Sequence, residues 1–147
     1  MFFMQRWQPQ VHGLFRIILG FLFSCHGAQK LLGFPVPGPN GTVELMSLMG
    51  LAGVLELVGG LMILVGLFTR PVAFLLSGLM AVAYFMAHAP QGFWPLVNKG
   101  ETAVLYCFAF FFLSAAGAGA FSLDALLARR HLEMDMNHGD SRVRKAS

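Results

Sequence analysis

Four stretches of the chain are almost unbroken in apolar residues, and polar residues gather in the gaps between them. The stretches run over about residues 11–33, 45–68, 71–88 and 102–121. Each approaches the roughly 20 residues that an α-helix needs to cross a hydrocarbon core of about 30 Å. The gaps carry turn chemistry: residues 34–42 read FPVPGPNGT and residues 89–100 read APQGFWPLVNKG. The middle connection, Thr69-Arg70-Pro71, is short, and Pro71 suits the first helical position of the third span because its missing N–H removes no internal bond. Short connections make consecutive helices antiparallel. The pattern therefore predicts an all-α protein, an integral membrane four-helix bundle over residues 1–124. Residues 125–147 read as a polar cytoplasmic tail, disordered or forming a short surface helix.

Charge sets the expected orientation. An even number of spans puts both termini on one side, and that side holds Arg6, Arg70, Arg129, Arg130, Arg142, Arg144 and Lys145. The opposite connections hold Lys99, with Lys30 near the membrane edge. The excess of basic residues in short flanks marks the cytoplasmic side, so both termini are expected there. Trp7, Phe93 and Trp94 are candidate interfacial anchors. Composition agrees: 56% of residues are hydrophobic and 12% charged, against roughly 45–50% and about 25% in soluble domains. Fifteen Phe and nine Met exclude a disordered chain. The net charge of +3 does not point to nucleic acid, because the basic residues form no continuous stripe. Arg6 and Arg16 ahead of the stretch ending at Cys25 resemble a signal peptide, but the apolar run continues to Leu32 and three more spans follow.

Ionisable groups inside a membrane are costly, so each marks function or an internal partner. Counting about 1.5 Å per residue from each span's midpoint puts Glu56 at the bilayer centre and Arg16 about 9 Å to the cytoplasmic side, where its side chain is expected to snorkel. His26, Cys25, Tyr84, Tyr106 and Cys107 fall about 4–8 Å toward the outer side, and Lys30 and His88 about 12 Å. At 100° per residue, Cys25, His26, Gln29 and Lys30 share one wide face, while Gly53, Glu56 and Gly60 share a narrow one. Glycines let a neighbouring helix approach closely, so this face is expected to meet the polar face of the first helix and to pair Glu56 with His26 or Lys30.

Other chemistry has weaker support. Cys25 and Cys107 fall at similar depths and are candidate redox thiols, although two buried free thiols are the simpler reading. Haem on His26 and His88 is disfavoured by their unequal depths. Phe108, Phe110, Phe111 and Phe112 suit lipid or core contact better than a flat ligand. His131, Met134, Met136 and His138 in the tail define no fixed metal geometry, and no metal is expected. Phosphate loops, nucleophile elbows and paired-cysteine zinc motifs do not occur.

His26-Gly27-Ala28-Gln29-Lys30-Leu31-Leu32-Gly33, then Glu56 with Gly59-Gly60, then Gly66-Leu67-Phe68-Thr69-Arg70 and finally Phe121-Ser122-Leu123-Asp124-Ala125-Leu126 together resemble the DoxX family of small bacterial membrane proteins. Gln91-Gly92-Phe93-Trp94-Pro95 is similar to the family's third connection, whereas Asn98-Lys99-Gly100-Glu101-Thr102 lacks the aromatic residue often found there. The resemblance covers about residues 12–127. It implies a multi-pass protein of the bacterial inner membrane and an oxidoreductase linked to quinones, thiosulfate or oxidative stress. It maps motif residues onto His26, Gln29, Lys30, Glu56 and Arg70, the last as a topology anchor.

These readings combine into one expectation: a membrane redox protein in which Glu56, His26 and Lys30 are catalytic, with Gln29, His88, Tyr84 and Tyr106 contacting a substrate such as a quinone. Its partners would be the lipid bilayer, a membrane or soluble redox protein and, through small-residue faces including Gly117 and Gly119, a second copy of itself. The competing readings are a non-enzymatic subunit or scaffold held together by the Glu56 network, and a small transporter.

Overall fold

The computed structural model describes residues 2–39, 41–131 and 133–134, and these are helices and connections without strands. A 3₁₀ turn, Phe2–Trp7, leads into α1, Gln8–Leu32. Three helices follow: α2, Leu48–Val65; α3, Thr69–Ala83; and α4, Glu101–Ala116. A π-helical turn, Tyr84–His88, and a 3₁₀ turn, Ala89–Gln91, extend α3. Residues 123–131 form a further helix, α5. The start of the expected tail is thus ordered as helix, and the part of it beyond residue 134, with Met136 and His138, lies outside the described residues.

Local chemistry explains the boundaries. Ser47 caps α2 by accepting a hydrogen bond from Gly50 N at 3.0 Å, and Gly33 and Gly66 end α1 and α2 in the left-handed conformation. The second turn lies at Gly66–Phe68 rather than at Thr69–Pro71, so Pro71 sits inside the first turn of α3. The α3 N-terminus has no local side-chain cap. Asp124, 55 residues away, supplies it: its two carboxylate oxygens accept from Phe68 N at 2.8 Å and Thr69 N at 2.9 Å.

Three helical segments, Phe3–Leu32, Leu48–Val65 and Thr69–Gln91, are long and apolar enough to cross a bilayer. α4 is equally apolar but has 16 residues, about 24 Å of helix. It stops at Ala116 instead of continuing to residue 121, because Gly117 takes φ 89° and opens an irregular strap over residues 117–122. Large apolar side chains such as Ile18, Phe21, Phe74, Leu105 and Phe108 are exposed on the helix surfaces, the arrangement a lipid solvent favours.

α1 packs along α2 and α3 along α4, and the two pairs join where Phe23, Ile63, Leu76, Met80, Tyr106, Phe110 and Leu113 form the core. At glycines of the α1–α2 seam the two backbones come into direct contact. A Cβ on Gly27 would lie 2.3 Å from Leu57 N, and one on Gly60 would lie 2.6 Å from Ser24 N, so these backbones touch only because both positions are glycine.

Arg16 does not snorkel. Its residue is completely buried, and its guanidinium donates to the carbonyl oxygens of Ile63 (2.7 Å) and Leu64 (2.5 Å) on α2 and of Ala118 (2.7 Å), Ala120 (3.3 Å) and Phe121 (2.8 Å) on the strap. The last turn of a helix and an irregular strap both present carbonyls without backbone partners, and a hydrocarbon surround offers no water to satisfy them. The five-donor fork of arginine does so at one point. Arg70 does the same for the end of α4, donating to the Ser114 and Ala115 carbonyls.

Candidate functional site

Lys30 lies in the last turn of α1 and Glu56 in the middle of α2, and the glycine seam brings the two together. Lys30 Nζ is 2.5 Å from Glu56 Oε1. Glu56 is 3% exposed, and its second oxygen, Oε2, is buried and has no hydrogen-bond partner among the described residues. A buried polar atom without a partner costs free energy, about 1–3 kcal/mol or more for a charged group. Gly53, one turn before Glu56, packs against Lys30 and Leu31, which lets the lysine stem lie flat on α2.

Two cavities meet at this pair. The first, about 290 Å³, is a groove between α2 and α3 lined by Leu48, Leu51, Leu55, Leu79, Met86 and other apolar side chains, with Lys30, Glu56 and His88 among its lining residues. The second, about 170 Å³, is lined by His26, Tyr106, Thr102 and Phe23 together with Lys30, Glu56 and His88. Met80 and Ala83 also line both. The site therefore consists of an apolar groove with an acid, an amine and an imidazole in its lining. Such a groove holds a hydrophobic body and presents a few polar groups to it.

The remaining predicted residues divide. His26 lines the second cavity and packs edge-on against Tyr106, ring centroids 5.8 Å apart, and the ion pair forms with Lys30 rather than with His26. Tyr106 is buried and also packs on Phe23 and Phe110. His88 lines both cavities. Gln29 lines neither: its Nε2 donates to the Val36 carbonyl at 3.1 Å and fastens the loop after α1. Tyr84 also lines neither, and its ring stacks on His88 at 6.3 Å while its hydroxyl donates to the Phe93 carbonyl at 3.3 Å. Cys25 and Cys107 are free thiols, and Ser77 Oγ donates to the Cys107 carbonyl at 2.9 Å. Among the described residues no group of three or more His, Cys, Asp or Glu side chains is placed to hold a metal.

Asn98 was not among the expected site residues. It is 1% exposed, its Nδ2 donates to the Gly92 carbonyl at 2.7 Å and to Tyr84 Oη at 3.3 Å, and its Oδ1 accepts from Gly100 N at 2.8 Å. Its own carbonyl oxygen is 3.0 Å from His88 Nδ1. Asn98 therefore organises the 92–100 connection and attaches it to His88.

An all-helical fold with three helices long and apolar enough to cross a bilayer and large apolar side chains exposed on its surface defines a membrane protein. A DoxX family profile matches residues 12–89. The chain belongs to the DoxX family. It is 42% identical to an uncharacterized protein of Haemophilus influenzae over 82% of this chain and 93% of that one. It is 31% identical to the inner membrane protein YqjF of Escherichia coli over 78% of this chain and 90% of the relative, and 28% identical to the uncharacterized membrane protein Rv3486 of Mycobacterium tuberculosis over 78% and 80%. No solved structure matches the chain.

Proposed function

We propose that the protein is an inner-membrane oxidoreductase of the quinone-linked type, which takes a lipid-soluble redox molecule into the α2–α3 groove and exchanges protons with it at the Lys30–Glu56 pair. The observation that carries this reading is Glu56, which lines both cavities and whose buried Oε2 has no partner among the described residues. A purely structural ion pair gains most when every lone pair is satisfied. Glu56 lines both cavities, so a turn of its carboxylate would bring the unpartnered oxygen to a molecule that enters them. The apolar lining matches a ring or chain partitioned into the bilayer, and Lys30 supplies a donor beside the carboxylate. His26 and Tyr106 flank the same pair on its other side.

In this reading α4, together with the strap that follows it, completes a fourth crossing. The termini share the cytoplasmic side with Arg6, Arg70, Arg129 and Arg130, and the site opens in the outer half. Localisation to the inner membrane is supported by the Escherichia coli relative, an inner membrane protein.

Native mass spectrometry of protein released from lipid nanodiscs is the test. Retention of a quinone-sized molecule at fixed stoichiometry in the wild type, and its loss in Glu56→Gln, is expected. Release of a bare chain under conditions that preserve bound lipid would contradict the proposal. The scaffold reading rests on the fact that the same pair joins α1 to α2. It predicts instead that Glu56→Gln loses folding or assembly.

A further inference from the structure

α5, residues 123–131, exposes most of its side chains, and they sort into two chemistries. At 100° per residue Leu123, Leu126 and Leu127 fall within an arc of about 100°. They are 41%, 56% and 51% exposed, and Phe121, just before the helix, is 71% exposed. Arg129 and Arg130 follow at the end of the helix, both exposed, with Arg130 inside the apolar arc and Arg129 beside it. Ala128 is exposed on the far side. Asp124, the acid of α5, is already engaged, because its two oxygens accept from Phe68 N and Thr69 N. The charge that α5 presents outward is therefore basic, and the whole stretch 125–147 holds five basic and three acidic residues.

The base of α5 is fixed where the spans end. Ser122, itself buried, caps the helix by accepting from Ala125 N at 3.2 Å, and Asp124 N donates to the Gly66 carbonyl at 2.9 Å. Gly66 lies between Leu48–Val65 and Thr69–Gln91, two of the segments apolar enough to cross a bilayer. A helix of this length covers only about 14 Å, so its leucines stay close to the membrane boundary. Phe68, in the same turn, is 60% exposed, and apolar side chains thus run on from the spans to α5. Between α5 and the neighbouring ends of α1 and α2 is a cleft of about 510 Å³, lined by Val65, Phe121, Leu123 and Leu126 together with Gln10 and Arg129. An apolar stripe flanked by arginines suits a helix lying in a membrane interface, where acyl chains take up the leucines and headgroup phosphates pair with the guanidinium groups.

We propose that α5 is a membrane-surface helix that docks on the adjacent leaflet and recognises anionic phospholipid, its leucines entering the acyl-chain boundary and Arg129 and Arg130 pairing with headgroup phosphates. This inference is independent of the redox reading, since α5 lines neither cavity at Lys30 and Glu56.

The test uses the full chain in nanodiscs of phosphatidylcholine, alone or mixed with phosphatidylglycerol. Hydrogen exchange at the α5 amides reads the docked fraction and is expected to slow severalfold when phosphatidylglycerol is present. The slowing should fade at high salt and in Arg129→Gln/Arg130→Gln, with each arginine contributing about fivefold. Arginines in a last turn also complement the helix dipole, but that role does not respond to headgroup charge. Spin labels on Leu127→Cys and Ala128→Cys, each combined with Cys25→Ala and Cys107→Ala, read position. The label at 127 is expected to be accessible to oxygen, which concentrates in lipid, and the label at 128 to a water-soluble nickel complex. Exchange that is equal in the two lipid mixtures overturns the recognition of anionic lipid. Labels equally open to water overturn the docking, and spin–spin broadening at 127 overturns it by assigning the stripe to a second copy of the chain.

Discussion

Lys30 Nζ and Glu56 Oε1 lie 2.5 Å apart across a glycine-rich seam, and the other Glu56 oxygen is buried without a partner among the described residues. The two halves of that relationship have different consequences. The paired oxygen joins α1 to α2, and the unpaired one is the atom on which the proposed function rests. Removing the partner should therefore cost more than neutralising the acid. Lys30→Met leaves a carboxylate unpaired in a low-dielectric interior and is expected to destabilise by about 3–5 kcal/mol, whereas Glu56→Gln keeps an acceptor for Lys30 and should cost less than half of that. Thermal unfolding of the single and double variants in one detergent measures the coupling. Independent, additive effects would show that the pair does not act as a unit.

Arg16 is expected to be among the least replaceable residues of the chain. It joins α2 to the strap after α4 through five hydrogen bonds to carbonyl oxygens. Arg16→Leu removes five donated hydrogen bonds, leaving the Ile63 carbonyl only its bond from Gly66 N, and should cost at least about 3 kcal/mol. Arg16→Lys should rescue little, because one ammonium cannot reproduce the planar fork. Folded yield and unfolding temperature of the two variants provide the measurement, and near-wild-type stability of the lysine variant would refute the fork argument.

The glycine seam makes a contrast prediction inside one class of substitution. Gly27→Ala places a Cβ 2.3 Å from Leu57 N and must push the helices apart, which would also lengthen the Lys30–Glu56 contact. Gly78→Ala on α3 meets nothing within 4 Å and should be neutral or slightly stabilising, by up to about 1 kcal/mol from helix propensity. Equal effects of the two substitutions would mean that the seam is less tight than the geometry implies.

Asp124 acts as the missing cap of α3. Asp124→Ala should cost about 1–2 kcal/mol and loosen the Phe68 turn, which proteolysis or amide exchange at Phe68 and Thr69 would reveal. Unchanged exchange there would assign the cap to another group.

Much of this was legible in the sequence, for physical reasons that also mark where legibility stops. Apolar runs located the helices because lipid contact demands them along whole faces. The 3.6-residue period placed Gly53, Glu56 and Gly60 on one face and so anticipated the α1–α2 seam and a pairing of Glu56 with His26 or Lys30, of which the fold makes the second. Depth arithmetic misread Arg16, because its partners are carbonyls 47 and more than 100 residues away, which no calculation along one helix contains. The same periodicity placed Gln29 with Lys30, yet a loop carbonyl at Val36 captures its side chain. The end of α4 was hidden because hydropathy records Gly117 as apolar and is silent about its positive φ. Asn98 lies in a connection with no periodicity to read, so its burial and its hold on His88 emerge only from the folded loop.

The central claim is that a membrane-soluble molecule lies in the α2–α3 groove with its polar end at Lys30 and Glu56. Photo-crosslinking with an azido-quinone in nanodiscs, followed by peptide mapping, tests it most directly. The account predicts label on Leu55, Met80, Ala83 or Met86, suppressed by excess unlabelled quinone and by Glu56→Gln. Label confined to the exposed outer faces, such as Phe21, Phe74 or Phe108, and indifferent to competitor would contradict it.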